Sequence, residues 1–101
     1  MQLLRDNLSA EQLEEFARQR SFLVTGGQSG RRYRIRRGWS MNIDEINEAG
    51  EVLRTWCFYP TGRLSTGDVM LAQKIALELF ELEALALAHS MPGSAHLHRI
   101  T

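Results

Sequence analysis

Hydrophobic and polar positions follow two different periods along the chain. Residues 8–20 have the period of a surface helix, with Ser9 and Gln12 spaced as in an N-terminal capping box. Over residues 21–60 the period changes to two and turn residues recur at short intervals, which is typical of an antiparallel meander. The helical period returns from about residue 66 to residue 88. Helices are therefore expected on both sides of a sheet-forming segment.

The pattern predicts four strands in this segment. They are residues 22–25, 31–37, 41–46 and 51–59. Glycine-rich and Asn-containing turns separate them, and Pro60 ends the sheet. The predicted fold class is α+β: a four-stranded antiparallel meander packed against a long C-terminal helix, with a short N-terminal surface helix.

A chain of 101 residues is the size of one domain. We expect a single α+β domain over residues 1–89. Met91, Pro92 and Gly93 interrupt the helical pattern, so residues 90–101 are expected to form a flexible C-terminal tail.

The C-terminal helix carries more apolar residues than one sheet can bury. At 100° per residue, the predicted core face consists of Leu71, Ala72, Ile75, Ala76, Leu79, Leu82 and Ala86. Apolar residues also occupy much of the opposite side, among them Val69, Leu77, Phe80 and Leu87. We interpret these four as a protein interface, covered either by the first helix or by another chain, with a homodimer as the simplest arrangement.

Composition agrees with a soluble globular protein, with 44% hydrophobic and 24% charged residues. The most apolar stretch, residues 69–88, is interrupted by Lys74, Glu78, Glu81 and Glu83, so no membrane partner is expected, and the N-terminus lacks a leader pattern. A single cysteine, Cys57, excludes an internal disulfide. These features together predict a cytoplasmic protein.

Twelve basic residues balance twelve acidic ones, but the balance hides a local excess of arginine. Residues 16–40 contain seven arginines and no acidic residue. In an extended second strand Arg32, Arg34 and Arg36 project from one face, with Tyr33 and Ile35 on the other. This row predicts a nucleic-acid-binding surface, in which Arg31, Arg37 and the stacking side chain of Trp39 also take part.

Two other interpretations of the arginine row remain open. Asp44, Glu45, Glu48 and Glu51 follow in the next strands and could pair with the arginines across the sheet. The row would then be a solvated charge ladder without a ligand. An acidic surface on another protein is the remaining candidate partner.

No motif for catalysis or cofactor binding stands out. The glycine-rich segment 25–31 lacks the Gly-Lys-Ser/Thr ending of a phosphate loop and precedes a strand, so it is expected to be a hairpin loop. His96 and His98 have no obvious third ligand for a metal. We expect a non-enzymatic protein without cofactor or metal.

Several stretches resemble small stand-alone uncharacterised proteins of bacteria and their phages. They are residues 33–38 (YRIRRG), 41–43 (MNI), 56–60 (WCFYP) and 67–78 (GDVMLAQKIALE). The resemblance covers roughly residues 9–88 and implies no particular activity. It implies a free-standing cytosolic domain and favours a partner-binding role, such as a regulator or inhibitor of a host protein.

Overall fold

The computed structural model describes residues 2–38, 41–58 and 65–93. Four helices and five strands lie within this part of the chain. In chain order they are α1 (Gln2–Asp6), α2 (Ala10–Gln19), β1 (Ser21–Thr25), β2 (Arg32–Arg36), β3 (Ile43–Ile46), β4 (Val52–Cys57), α3 (Thr66–Leu79), α4 (Glu81–Leu87) and β5 (His89–Pro92).

The five strands form one antiparallel sheet in the order β1-β2-β3-β4-β5. The predicted α+β class and its meander are therefore confirmed, but the strand count of four is wrong. The fifth strand, His89–Pro92, pairs with β4 where the sequence predicts a tail from residue 90. All four of its residues are exposed, so it has no hydrophobic alternation from which a strand could be predicted.

Helix α2 begins as the sequence predicts. The Ser9 hydroxyl accepts a hydrogen bond from the Gln12 N–H, and the Gln12 side chain accepts one from the Ser9 N–H. The Gln12 amide also donates to the Leu23 carbonyl of β1 at 2.8 Å, so α2 covers this edge of the sheet. The short helix α1 was not predicted; its Leu4 is buried in the core.

The C-terminal helix is divided at Phe80, whose backbone leaves the helical region, into α3 and α4. Its core face agrees with the predicted one only in part, since Leu71 is buried in the core as predicted. Met70, Gln73 and Leu77 are buried, whereas the predicted core residues Ile75 and Leu79 are exposed. The side chain of Gln73 explains the difference, as its amide forms two reciprocal hydrogen bonds with the Asn42 amide inside the protein.

The core lies between the helices and one face of the sheet. Its fully buried side chains come from β1, β2, β3 and α3, with Leu4 and Phe16 added by the first two helices. The rings of Phe16 and Phe22 meet edge to face at 6.0 Å between centroids. The outer face of β2 is therefore the side turned away from the helices.

Candidate functional site

Strand β2 presents its arginines on the outer face of the sheet. Tyr33 and Ile35 are 0% exposed and belong to the core. Arg32 and Arg36, at the two ends of the strand, are exposed, and Arg34, between Tyr33 and Ile35, is half-buried. The strand thus separates charged from apolar side chains with the predicted period of two.

Arg36 is engaged in contacts within the protein. Its guanidinium donates two hydrogen bonds to the Asp44 carboxylate, at 2.8 and 3.1 Å, and a third to the Met41 carbonyl at 2.6 Å. Thr55 adds a hydrogen bond to the same carboxylate at 2.9 Å. The charge-ladder interpretation therefore describes Arg36, whose charge is neutralised by a neighbouring strand.

Arg34, unlike Arg36, forms no ion pair with Asp44, although it lies directly opposite Asp44 in the β2–β3 register. The oxygens of Asp44 already accept hydrogen bonds from Arg36 and Thr55. Within residues 2–38, 41–58 and 65–93, Arg34 has no ion pair, and its Nε is buried without a hydrogen-bond partner. A donor of this kind has lost its water without gaining an acceptor in the protein.

Two further arginines lie beside Arg34 where β1 begins and β2 ends. Arg20 is the C-cap of α2 with a left-handed backbone, φ 60°, and its carbonyl accepts a hydrogen bond from the Arg37 N–H at 3.0 Å. This turn brings both residues to a surface depression that also contains Arg34. The residues that line it are Gln19, Arg20, Ser21, Arg34, Arg36 and Arg37.

We call this depression the arginine pocket, and none of the described residues that line it is acidic. A second depression adjoins it, sharing Arg20 and Arg37 and adding Arg5. Arg5 and Arg20 were missed as site residues, because the strand pattern from which the row was predicted contains no information about the helix ends. The run of seven arginines over residues 16–40 does include Arg20 and was the available signal.

The remaining predicted nucleic-acid-binding residues fall in two groups. Arg31 and Arg32 are exposed at the other end of β2, beyond the arginine pocket. Trp39 lies outside the described residues. The structure thus brings Arg34, Arg36 and Arg37 together with Arg20. Arg32 lies at the opposite end of β2, where it lines a depression with Glu11, Glu15 and Glu78, and Arg31 precedes the strand.

The glycine-rich loop between β1 and β2 does hold an anion, and that anion is a carboxylate of the same chain. The fully buried Glu81 accepts hydrogen bonds from the N–H groups of Gln28 and Ser29 at 3.1 and 2.8 Å. It also accepts from the Ser29 hydroxyl and from the Tyr33 hydroxyl. The loop donors are therefore occupied and unavailable to a phosphate ligand.

The electrostatics of this contact follow from its burial. Burial raises the pKa of Glu81, but the hydrogen bonds from Ser29, Tyr33 and Gln28 outweigh it and hold that pKa below its usual value. Burial, followed by the hydrogen bond and the negative charge of Glu81, raises the pKa of Tyr33 well above its usual value. Glu81 is thus kept ionised and Tyr33 neutral.

The predicted protein interface is corrected at two positions. Val69 and Leu77 are buried within the chain, because the face of α3 that carries them packs on the sheet. Phe80 and Leu87 are exposed, by 57% and 85%. Other large apolar residues on α3 and α4 join them at the surface: Ile75, Leu79 and Leu82.

Cys57 is buried, as expected for a small apolar residue, and lies opposite His89 in the β4–β5 pair. No hydrogen bond joins these two side chains in the described part of the protein. In the same residues, no helix has the length and apolar character needed to cross a membrane. No group of three potential metal-ligating side chains occurs there.

Comparison with models of known protein families, with curated protein sequences and with solved structures gave no match.

Proposed function

We propose that the protein is a small, non-enzymatic nucleic-acid-binding protein that contacts the phosphate backbone through arginines. The contacting residues, which we call the arginine surface, are Arg20, Arg31, Arg32, Arg34 and Arg37. The observation that carries the proposal is the state of Arg34, whose guanidinium makes no hydrogen bond or ion pair with any described residue although the facing Asp44 carboxylate is close enough in register to pair. A phosphate oxygen would supply the missing acceptor.

The spacing of the arginines supports a polyanionic ligand rather than a single small ion. Arg32 and Arg34 are two residues apart on one strand face, a separation of roughly 6.6 to 7 Å, which is close to the distance between successive phosphates. Arg37 and Arg20 continue the row past the end of β2. Arg36 is excluded from the arginine surface because its guanidinium is bound to Asp44.

The test is a binding measurement with labelled single- and double-stranded DNA and RNA at several salt concentrations. The double variant Arg32→Gln/Arg34→Gln removes two arginines of the arginine surface. The matched control, Arg18→Gln/Arg54→Gln, removes two arginines elsewhere: Arg18 pairs with Glu14 on α2, and Arg54 stacks on Trp56. We expect the first variant to lose affinity and the control to retain it. Equal affinity in both variants would contradict the proposal.

A second candidate function is a protein-interaction module that acts as a homodimer. It is favoured by the exposed apolar residues on α3 and α4, of which Leu79, Phe80 and Leu87 are all more than half exposed. An acidic surface on another protein is the corresponding alternative ligand for the arginine surface. Light scattering tests the homodimer: we expect twice the chain mass for the native protein and one chain mass after Leu79→Ser/Phe80→Ser. A native monomer at high concentration would contradict it.

A further inference from the structure

We propose that the arginine pocket is a site for a phosphate monoester, so that the protein prefers nucleic-acid ends that carry a terminal phosphate. This inference deepens the proposed function and rests on it for the nature of the ligand. It concerns the corner where α2, β1 and β2 meet, and not the whole length of the arginine surface.

The first argument is the arrangement of the donors. Arg34 lies half-buried at the pocket, and its guanidinium has no hydrogen-bond or ion-pair partner among the described residues. Arg20 and Arg37 are held next to each other by the hydrogen bond between the Arg37 N–H and the Arg20 carbonyl. Guanidinium groups that meet around one depression can donate to several oxygens of the same phosphate.

The second argument is the charge that the pocket leaves unbalanced. Four arginines line it, and Asp44 neutralises Arg36, so among residues 2–38, 41–58 and 65–93 the charges of Arg20, Arg34 and Arg37 have no ion-pair partner. A phosphodiester has one negative charge, whereas a terminal monoester has close to two at neutral pH and one more oxygen available as an acceptor. Three cations that line one depression therefore match a monoester better than an internal diester.

The third argument is the position of the pocket relative to the rest of the arginine surface. Arg32 lies two residues from Arg34 on the same face of β2, and Arg31 precedes it. A strand whose terminal phosphate occupies the pocket can direct its following phosphates toward Arg32 and Arg31. The end of the nucleic acid would thus be fixed at the pocket and its backbone carried along β2.

The glycine-rich loop does not compete for this role. Its N–H donors are bound to Glu81, and Glu81 lies on α4, away from the residues that line the pocket. The pocket is built from guanidinium groups instead of main-chain donors, so its affinity depends on side chains that can be replaced one at a time.

The variants are chosen to remove charge without disturbing the backbone. Arg20→Asn is suitable because asparagine tolerates the left-handed conformation of residue 20. Combined with Arg37→Gln, it removes two of the three unbalanced cations of the pocket. The control Arg31→Gln/Arg32→Gln removes two cations from the other end of the arginine surface. Thermal unfolding of each variant verifies that it is folded.

The experiment compares a short single-stranded oligonucleotide with a 5′-phosphate, the same strand with a 5′-hydroxyl, and a 5′-hydroxyl strand two nucleotides longer, whose two additional phosphodiesters match the charge of the terminal monoester. We expect the native protein to bind the phosphorylated strand about tenfold more tightly than either hydroxyl strand. Arg20→Asn/Arg37→Gln should reduce this ratio to about one, while Arg31→Gln/Arg32→Gln should weaken all three strands and preserve the ratio. An equal affinity of the native protein for all three strands overturns the monoester site and leaves the proposed function standing.

Inorganic phosphate provides an arm that does not depend on nucleic-acid binding. NMR titration should shift the amide resonances of residues 20, 34 and 37 in the native protein and not those of the variant Arg20→Asn/Arg37→Gln. If no oligonucleotide binds, the proposed function fails and the phosphate titration alone tests the site. Shifts confined to the arginine pocket would then support it. Absence of shifts at the pocket overturns the site as well.

Discussion

The Tyr33 hydroxyl donates a hydrogen bond of 2.6 Å to the Glu81 carboxylate and so joins the start of β2 to the first residue of α4. Glu81 also accepts three hydrogen bonds from Gln28 and Ser29 of the glycine-rich loop. In addition, the side-chain oxygen of Gln28 accepts a hydrogen bond from the Leu82 N–H at 2.7 Å. One buried carboxylate thus fixes the β1–β2 hairpin, and with it the start of the strand that carries the arginines.

Replacing Glu81 by glutamine should destabilise the protein strongly. In the variant, an NH₂ group replaces one carboxylate oxygen and therefore faces a group that is itself a hydrogen-bond donor. The other hydrogen bonds would no longer be made to a charged acceptor. We expect the free energy of unfolding to fall by about 2 to 4 kcal/mol, measured by urea denaturation. The exposed neighbour Glu83 supplies the control, since Glu83→Gln should change stability by less than about 0.5 kcal/mol. Equal effects of the two substitutions would contradict this role of Glu81.

The same carboxylate should make stability depend on acid pH. The pKa of Glu81 is lower in the folded protein than in the unfolded chain, where it is about 4.3. Its contribution is therefore fully present above that unfolded value and is lost as the pH falls through the folded pKa. Unfolding free energies of the native protein and Glu81→Gln, measured from pH 7 to pH 3, should converge as the pH decreases below about 5. A constant difference over this range would mean that folding does not lower the pKa.

Gly27 should not tolerate a side chain. An added Cβ would lie 1.8 Å from the Glu78 carbonyl oxygen, and the Gly27 N–H donates to the Leu77 carbonyl. Gly27→Ala must therefore displace the loop from the α3–α4 junction, and we expect a loss of about 3 kcal/mol in thermal or chemical unfolding. Gly30→Ala has open space and should lose only about 1 kcal/mol, from its left-handed backbone. A smaller effect at Gly27 than at Gly30 would refute the packing argument.

The Asn42–Gln73 pair should behave as one unit. Gln73→Leu leaves the Asn42 amide and the Phe58 carbonyl without their partner, so we expect a loss of about 2 to 3 kcal/mol. Asn42→Leu should be similarly damaging, because the Asn42 amide also donates to the Arg36 carbonyl. In the double variant the loss should be at least about 1 kcal/mol smaller than the sum of the two. Additive losses in this cycle would show that the two amides act independently.

The Asn42–Gln73 pair illustrates which parts of the fold could not be predicted from the sequence. The strand alternation around Tyr33 and the cap at Ser9 depend on local patterns, and both are found in the structure. The predicted core face of α3 was wrong in part because it did not include Gln73, which is fully buried. A buried amide can be recognised only when its partner, thirty-one residues away, is known to face it.

The candidate site was predictable to a similar extent. Period two placed Arg32, Arg34 and Arg36 on one face, as observed. Neither the pairing of Arg36 with Asp44 nor the approach of Arg20 follows from the pattern of one strand, because both depend on how separate elements are registered. The burial of Val69 and Leu77 depends on the orientation of α3. Because that orientation was not predicted correctly, these two residues were wrongly assigned to an interface.

The salt dependence of nucleic-acid binding tests the central proposal most directly. Each phosphate contact made by an arginine contributes about 0.7 to 0.9 to the slope of log affinity against log salt concentration. We expect Arg32→Gln/Arg34→Gln to decrease the steepness of that slope by about 1.4 to 1.8, and Arg18→Gln/Arg54→Gln to leave it unchanged. Binding whose salt slope is the same in the native protein and in Arg32→Gln/Arg34→Gln, or the absence of binding at low salt, would contradict the arginine surface as a phosphate-contacting site.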